Sequence, residues 1–232
     1  MKTIGLLGGM SWESTASYYK TINKGVKQAL GGLHSAKIVL YSVDFAVIEK
    51  LQHANDWETT AELLSSAARR IEAGGADFMT LCTNTMHKVA PQIEEATSIP
   101  LLHIADATGE QLVADGIKTA GLLGTRFTME QGFYKGRIRD IFGIDVLVPT
   151  PADREIVHKI IYDELCLGII DAASRRQFLD IIDQLNKDGA EAVILGCTEI
   201  AMLVNYSHTS VPLYDTTSIH ANAAVQYALK ES

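Results

Sequence analysis

The feature of this sequence that most constrains its fold is an internal duplication. Three short segments of the first half recur in the second half, in the same order and at offsets of 116, 114 and 112 residues. The paired segments are 2–8 with 118–124, 75–83 with 189–197, and 99–102 with 211–214. Because these offsets are close to half of the chain, we expect two halves of similar fold that face each other.

Each half alternates short apolar runs, which predict strands, with longer amphipathic runs, which predict helices. Predicted strands cover residues 3–7, 37–42, 78–82, 101–102, 120–123, 192–195 and 213–214. Predicted helices cover residues 12–29, 57–73, 133–142, 155–165, 174–187 and 218–229. Such alternation is typical of parallel sheets covered by helices on both faces. We therefore expect two similar doubly wound α/β domains related by the duplication, with the active site in the cleft between them.

The duplication also predicts the domain boundaries. The last strand and helix repeat the start of the second domain, and we expect them to return and complete the first. The expected first domain is 1–98 plus 210–232, and the second is 99–209.

Composition excludes several classes of function. A net charge of -8 offers no basic patch for nucleic acid or an acidic membrane surface, so an anionic ligand needs local donors. No apolar run has the length of a signal peptide or a membrane span. The three cysteines form no C-x-x-C pair, which favours a reducing, cytoplasmic compartment, and the histidine spacing favours no metal site.

Four predicted strand-to-helix loops carry small polar residues, at 8–11, 83–85, 124–125 and 197–199. Loops at the carboxyl ends of parallel strands are the usual ligand sites of α/β proteins, because helix N-termini point N–H groups at the ligand. The duplication pairs the second loop with the fourth. Thr83 and Cys197 thus become equivalent residues, which we expect to face one ligand from opposite sides.

These loops resemble the signatures of a known family. Leu195-Gly196-Cys197-Thr198-Glu199 resembles the second catalytic signature of the aspartate/glutamate racemases, and Thr83-Asn84-Thr85-Met86-His87 resembles the first, usually Cys-Asn-Thr. Gly8-Gly9-Met10 and Gly124-Thr125 match as well, so the resemblance runs over essentially the whole chain. Glu199 after Cys-Thr resembles the aspartate-racemase branch.

The resemblance implies racemisation of an acidic amino acid by a homodimer that uses neither pyridoxal phosphate nor metal. In the family, two cysteines flank the α-carbon and exchange its proton. Here Thr83 holds the position of the first cysteine, as in a subset that is specific for L-aspartate and L-glutamate. Cys197 then serves the face of the L-enantiomer. The expected substrate-binding residues are Met10, Gln52, Asn84, Thr85, Thr125, Thr198 and Glu199.

Several roles remain open from the sequence. A helix N-terminus is expected to lower the pKa of Cys197, while Cys82 and Cys166 are expected to be buried packing residues. Thr83 is either a proton donor or a helix cap, and His87 either orients a catalytic group or makes a structural hydrogen bond. Some relatives carry a basic residue near 164–168. No basic residue stands there in this sequence, so the candidates for binding the substrate carboxylate are Gln52, Arg126 and Lys88.

Other functions on the same scaffold also fit these residues. A hydantoin racemase, a maleate isomerase and an arylmalonate decarboxylase would use cysteine at the same positions, and fold alone does not separate them. A two-lobed protein that binds acidic amino acids without chemistry is the alternative of a different class.

Overall fold

A computed structural model describes residues 1–230 of the chain. The chain divides into two compact units. The first unit holds residues 1–104 together with the chain from His220 onward, and the second holds residues 105–219. Each unit is an α/β domain built on a four-stranded parallel sheet, as the duplication predicts.

The sheet of the first unit has the strand order β2-β1-β3-β4. Its strands are β1 (Ile4–Gly8), β2 (Ile38–Ser42), β3 (Phe78–Leu81) and β4 (Leu101–Leu102). The helices between them are α1 (Trp12–Leu30), α2 (Phe45–His53), α3 (Trp57–Ala73) and α4 (Ala90–Glu95), and a 3₁₀ helix covers Thr85–Val89.

The sheet of the second unit repeats this order as β6-β5-β7-β8. Its strands are β5 (Thr119–Gly124), β6 (Asp145–Leu147), β7 (Ala192–Gly196) and β8 (Leu213–Asp215). The remaining helices are α5 (Ile104–Ala114), α6 (Arg126–Glu130), α7 (Gly132–Phe142), α8 (Pro151–Asp163), α9 (Ala172–Lys187), α10 (Ile200–Leu203) and α11 (Thr216–Leu229), with a 3₁₀ helix at Leu165–Leu167.

Apolar clusters cover both faces of the first sheet. One cluster joins Leu64 and Ile71 of α3 to Met79 of β3. The other joins α1 and α11 to the opposite face, where Tyr18 and Phe78 are fully buried. Burial on both faces explains why the strands of a parallel sheet are continuously apolar.

The predicted strands all exist, and their ends agree with the structure to within one residue. The sequence missed β6, an edge strand whose side chains are partly exposed. It also missed α5, because Ile104, Ala105 and Leu112 make this helix largely apolar without a clear polar stripe. The other missed helices are α2, α4, α6 and α10, all of nine residues or fewer.

The units divide later in the chain than the boundaries drawn from the sequence. β4 pairs with β3 in the first sheet, and β8 pairs with β7 in the second. The sequence boundaries at 98/99 and 209/210 instead precede these strands, because a strand of two or three residues does not reveal which sheet it joins. Helix α11 does enter the first unit, where Ala221 and Val225 pack in its core.

Across residues 1–230, no helix combines the length and the apolar character that crossing a membrane requires.

Candidate active site

The candidate residues lie on loops at the carboxyl ends of the central strands. In the first unit, neighbouring strands β1 and β3 lead into the loops of Gly8 and Thr83. In the second unit, neighbouring strands β5 and β7 lead into the loops of Thr125 and Cys197. Within each unit, the two loops therefore leave the same edge of the sheet.

The loop after β1 is shaped by glycines. A Cβ on Gly8 would lie 2.4 Å from Thr15 Cγ2, and Gly9 has φ +96°, in the left-handed region that favours glycine. The Gly9 N–H donates to Thr15 Oγ1 at 2.8 Å, which fixes the turn into α1. Met10 is buried in the apolar cluster that also contains Ile48.

The loop after β3 holds Thr83 through its backbone. The Thr83 N–H donates to Leu81 O, and His87 Nδ1 donates to Thr83 O, both at 2.8 Å. Thr83, Asn84 and Thr85 are buried. Asn84, rather than Thr83, stands at the start of the 3₁₀ helix, and its side chain makes no capping bond there.

The loop after β5 corresponds, through the duplication, to the loop that contains Gly9 in the first unit. Thr125 is the N-cap of α6, where its Oγ1 accepts from the Thr128 N–H at 3.4 Å. This side chain therefore caps a helix, as the small polar residues of these loops commonly do.

The loop after β7 brings three predicted site residues into direct contact. Cys197 Sγ donates to Glu199 Oε2 at 3.0 Å, and Thr198 Oγ1 donates to the same oxygen at 2.8 Å. Cys197 is partly exposed, whereas Glu199 is buried. The loop thus places a thiol in hydrogen-bond contact with a buried carboxylate.

The electrostatics of Cys197 overturn one expectation from the sequence. The pKa of the Cys197 thiol is raised well above its ordinary value, first by burial and next by the negative charge of Glu199. A pKa lowered by a helix N-terminus was therefore the wrong prediction. The following helix α10 has only four residues, and the two largest influences on the thiol, its burial and the charge of Glu199, both raise the pKa.

The other two cysteines differ from each other. Cys82 is fully buried in the core beside Phe78, which confirms its packing role. Cys166 is only partly buried, so the expectation of a buried packing residue was wrong, and repulsion between the two thiolate forms adds to the raised pKa of Cys197. The sequence did not reveal this proximity, because the two residues belong to separate elements that fold together.

The residues proposed from the sequence to bind a substrate carboxylate make other contacts in the structure. Arg126 forms an exposed ion pair with Glu155 at 2.7 Å. Lys88 Nζ lies 3.8 Å from the ring centroid of Trp57, and burial lowers the pKa of this lysine. Gln52 is buried in α2. Among residues 1–230, no group of three or more His, Cys, Asp or Glu side chains is arranged to hold a metal ion.

The chain is similar to known racemases in sequence and in fold. The sequence matches the Asp/Glu/hydantoin racemase family over residues 7–224. A structure from Yersinia pestis, described as a candidate Asp/Glu racemase, is 58% identical with a TM-score of 0.94, covering 99% of this chain and 100% of its own. An aspartate racemase homologue from Pyrococcus horikoshii is 30% identical with a TM-score of 0.86 and the same coverage. The broad-specificity amino-acid racemase RacX of Bacillus subtilis is 21% identical over 235 residues, 96% of each chain.

Proposed function

Because this chain belongs to the Asp/Glu/hydantoin racemase family, we propose that it racemises an acidic amino acid, aspartate or glutamate. The α-C–H bond of an amino acid is a very weak acid. Breaking it requires a base in a water-poor site and donors that stabilise the carbanion-like state. In this proposal Cys197 is the acid and base for the α-proton, and neither pyridoxal phosphate nor a metal ion takes part.

The observation that carries the proposal is the 3.0 Å hydrogen bond from Cys197 Sγ to Glu199 Oε2. Burial and the carboxylate disfavour a lasting thiolate. A thiolate forms during the reaction when the thiol proton passes along this bond to Glu199, because the pair then keeps a single negative charge. The thiolate takes the α-proton of the substrate and becomes a thiol again. When the Thr83 hydroxyl then donates its proton to the other face, the proton held by Glu199 returns through solvent to the Thr83 oxygen, which restores the starting state.

This mechanism gives Glu199 a different role from the substrate contact expected from the sequence. Glu199 Oε2 already accepts hydrogen bonds from Cys197 and Thr198. A carboxylate at this point would also repel the carboxylates of an acidic substrate. We therefore propose Glu199 as the acceptor of the thiol proton.

We propose Thr83 for the opposite face of the α-carbon. Two arguments support it: its equivalence to Cys197 in the duplication, and the resemblance of residues 83–87 to the first family signature. A hydroxyl can donate or relay a proton to the carbanion-like state, but it is a far weaker base than a thiolate near neutral pH. The proposed enzyme therefore acts most readily on the L-enantiomer.

An acidic substrate needs local donors, because the net charge of -8 provides no general attraction. We assign this role to the buried polar side chains of Asn84, Thr85 and Thr125, with Thr198 beside the thiol. Met10 and Gln52 are the remaining residues of the first unit that we assign to substrate binding. Backbone N–H groups at helix starts add donors that carry partial positive charge.

The experiment is incorporation of solvent deuterium at Cα, followed by NMR in heavy water. L-aspartate and L-glutamate are compared with L-asparagine and L-glutamine, which match them in shape but lack the side-chain charge. We expect exchange for an acidic amino acid and much slower exchange for the amides. Equal rates for the amides would contradict acidic specificity and point to the broad specificity named for the Bacillus subtilis relative.

Other outcomes would replace the proposal. Turnover of a hydantoin, maleate or an arylmalonate without amino-acid exchange would indicate another reaction on this scaffold. Saturable binding of L-aspartate without exchange would indicate a binding protein.

The proposal extends to cofactors, assembly and location. Activity should survive borohydride treatment and exhaustive chelation, and its loss in either test would contradict a cofactor-independent reaction. We also propose that the protein is a cytoplasmic homodimer. The purified protein should then sediment at twice the chain mass of 25.2 kDa, and any other mass would contradict the dimer.

A further inference from the structure

Three buried histidines cluster in the first unit, outside the acid–base pair proposed above. His87, His103 and His220 are 1%, 7% and 0% exposed. The ring centroids of His87 and His103 are 4.5 Å apart, and those of His87 and His220 are 5.9 Å apart. Buried titratable rings are costly to place together, so this cluster needs a physical explanation.

The hydrogen bonds of His87 define its protonation state. Thr83 O is a carbonyl and only accepts, so Nδ1, at 2.8 Å, must carry a proton. The Ile104 N–H only donates, so Nε2, at 3.2 Å, must be unprotonated. His87 is therefore neutral and in one tautomer. Burial, reinforced by His103 and His220, lowers its pKa well below the ordinary value.

His220 supports this arrangement from α11. Its Nε2 donates to Leu102 O at 2.8 Å, and its Nδ1 accepts from the Tyr18 hydroxyl at the same distance. Tyr18 is itself fully buried in α1. The cluster thus connects the Thr83 loop to Ile104 and His220. Along the chain, the first segment of the first unit ends at Ile104, and its second segment begins at His220.

The second unit has no counterpart of this cluster. The duplication aligns His87 with Ala201, His103 with Asp215 and His220 with Thr108. The pair of Tyr18 and His220 becomes Tyr134 and Thr108, whose hydroxyl groups are 3.3 Å apart. The histidines therefore accompany the loop that carries Thr83, and not the loop that carries Cys197.

We propose that His87 is a positioning residue for Thr83. The His87 ring bridges the carbonyl of Thr83 and the N–H of Ile104, and so holds the main chain of Thr83 in place. This inference rests on the proposed function, because it takes Thr83 to serve one face of the substrate. His87 touches neither substrate nor reacting atoms. It acts by fixing the Thr83 peptide, while His103 and His220 keep its ring in place and neutral.

Two substitutions separate the two hydrogen bonds of His87. His87→Asn keeps a donor near the position of Nδ1, so the bond to Thr83 O is retained. His87→Gln keeps an acceptor near the position of Nε2, so the bond from Ile104 is retained and the bond to Thr83 is lost. His34→Gln, at an exposed residue of the same unit, is the matched control.

The readout is the ratio of net inversion to α-deuterium exchange of the L-enantiomer. Inversion needs the face served by Thr83, whereas exchange needs only the face served by Cys197 and Glu199. We expect His87→Gln to lower this ratio by about 10- to 100-fold, because a misplacement of about 1 Å can cost about 10²-fold. His87→Asn should recover most of the wild-type ratio. Equal losses of inversion and exchange, or an unchanged ratio in His87→Gln, would overturn the proposal.

A second measurement needs neither variant nor activity. Long-range ¹H–¹⁵N NMR of the wild-type protein reports the tautomer of His87 directly. We expect a protonated Nδ1 and an unprotonated Nε2 at neutral pH, and the opposite tautomer or an imidazolium would overturn the positioning role. If the tautomer is as expected but no amino acid exchanges its α-proton, the proposed function fails while the account of His87 geometry stands.

Discussion

The two equivalent loops of this protein differ in the hydrogen bonds that hold them: one is bound through its main chain and the other through a side chain. In the Thr83 loop, the neutral His87 donates a hydrogen bond to the main-chain carbonyl of Thr83, and Thr83 is buried. In the Cys197 loop, the Glu199 carboxylate instead accepts a hydrogen bond from the Cys197 thiol. Duplication placed both loops at the same point of the same fold, yet the residue two positions further on is Glu199 in one loop and Thr85 in the other.

Under the proposed function, this difference assigns different tasks to the two loops. The position equivalent to Glu199 in the first unit is Thr85, and the position equivalent to His87 in the second is Ala201. A base strong enough to attack an α-C–H needs a proton acceptor beside it, whereas a proton donor needs accurate placement. We assign the first task to the Cys197 loop and the second to the Thr83 loop.

The largest effect is expected from Cys197→Ala. Removing the thiol should lower α-proton exchange by roughly 10³- to 10⁴-fold, the upper part of the range for a general acid–base group. The fold should persist, because Cys197 is partly exposed and contributes little to core packing. Exchange by NMR and circular dichroism measure the two effects. Cys166→Ala, which removes a neighbouring thiol, should retain exchange, and parent-rate exchange in Cys197→Ala would remove Cys197 from the mechanism.

A smaller effect is expected from Glu199→Gln, and it should separate two properties of Cys197. Exchange should fall by about 10²-fold, because the amide keeps the shape of Glu199 but cannot take a proton. Alkylation of Cys197 by iodoacetamide at pH 8 should become faster, because loss of the negative charge lowers the thiol pKa. Glu110→Gln, on an exposed face of α5, should change neither rate. Slower alkylation in Glu199→Gln would contradict the assigned electrostatics.

Thr83→Cys should partly equalise the two loops. We expect exchange of the D-enantiomer to rise by roughly tenfold relative to that of the L-enantiomer. This is below the full general-base range of about 10²- to 10⁴-fold, because Thr85 supplies no carboxylate. Initial rates for both enantiomers measure the change, with Thr97→Cys as the control thiol in the same unit. A folded Thr83→Cys protein with the parental D-to-L ratio would show that Thr83 does not face the α-carbon.

The smallest effect concerns stability and His87. Its pKa is lowered in the folded protein, so below about pH 6.5 the unfolded chain binds a proton that the native state does not. Stability should therefore fall as the pH falls below about 6.5, by up to about 1.4 kcal/mol per pH unit for one histidine. Urea unfolding between pH 7 and 5 should show a shallower decline in His87→Asn than in His34→Asn. Equal slopes would contradict a neutral buried His87.

The sequence predicted the parts of this molecule that depend on local pattern. Strands, the principal helices and the equivalence of Thr83 and Cys197 follow from apolar runs and repeated segments, which require no knowledge of side-chain contacts. Helix α5 escaped prediction because a largely buried helix lacks the amphipathic pattern on which such predictions rest.

The sequence did not predict how the candidate site is held. The direction of the Cys197 pKa shift depends on where the Glu199 side chain points and on how deeply the thiol is buried, both of which are tertiary properties. The histidine cluster depends on β4 and α11 coming together, and His103 and His220 lie in different halves of the sequence. His87 was visible only as part of a motif, and its second partner, Ile104, belongs to another element.

The central claim is that the bases on the two faces are unequal, and initial deuterium exchange of the two enantiomers in heavy water tests it most directly. From the L-enantiomer, the thiolate removes the α-proton and the same thiol can return deuterium without inversion. From the D-enantiomer, the first step depends on a hydroxyl. We predict faster initial exchange into L-aspartate or L-glutamate than into the D-forms, with inversion slower than exchange and an equilibrium constant of one. Equal initial rates for both enantiomers would contradict the account, because a second base would then serve the face assigned to Thr83.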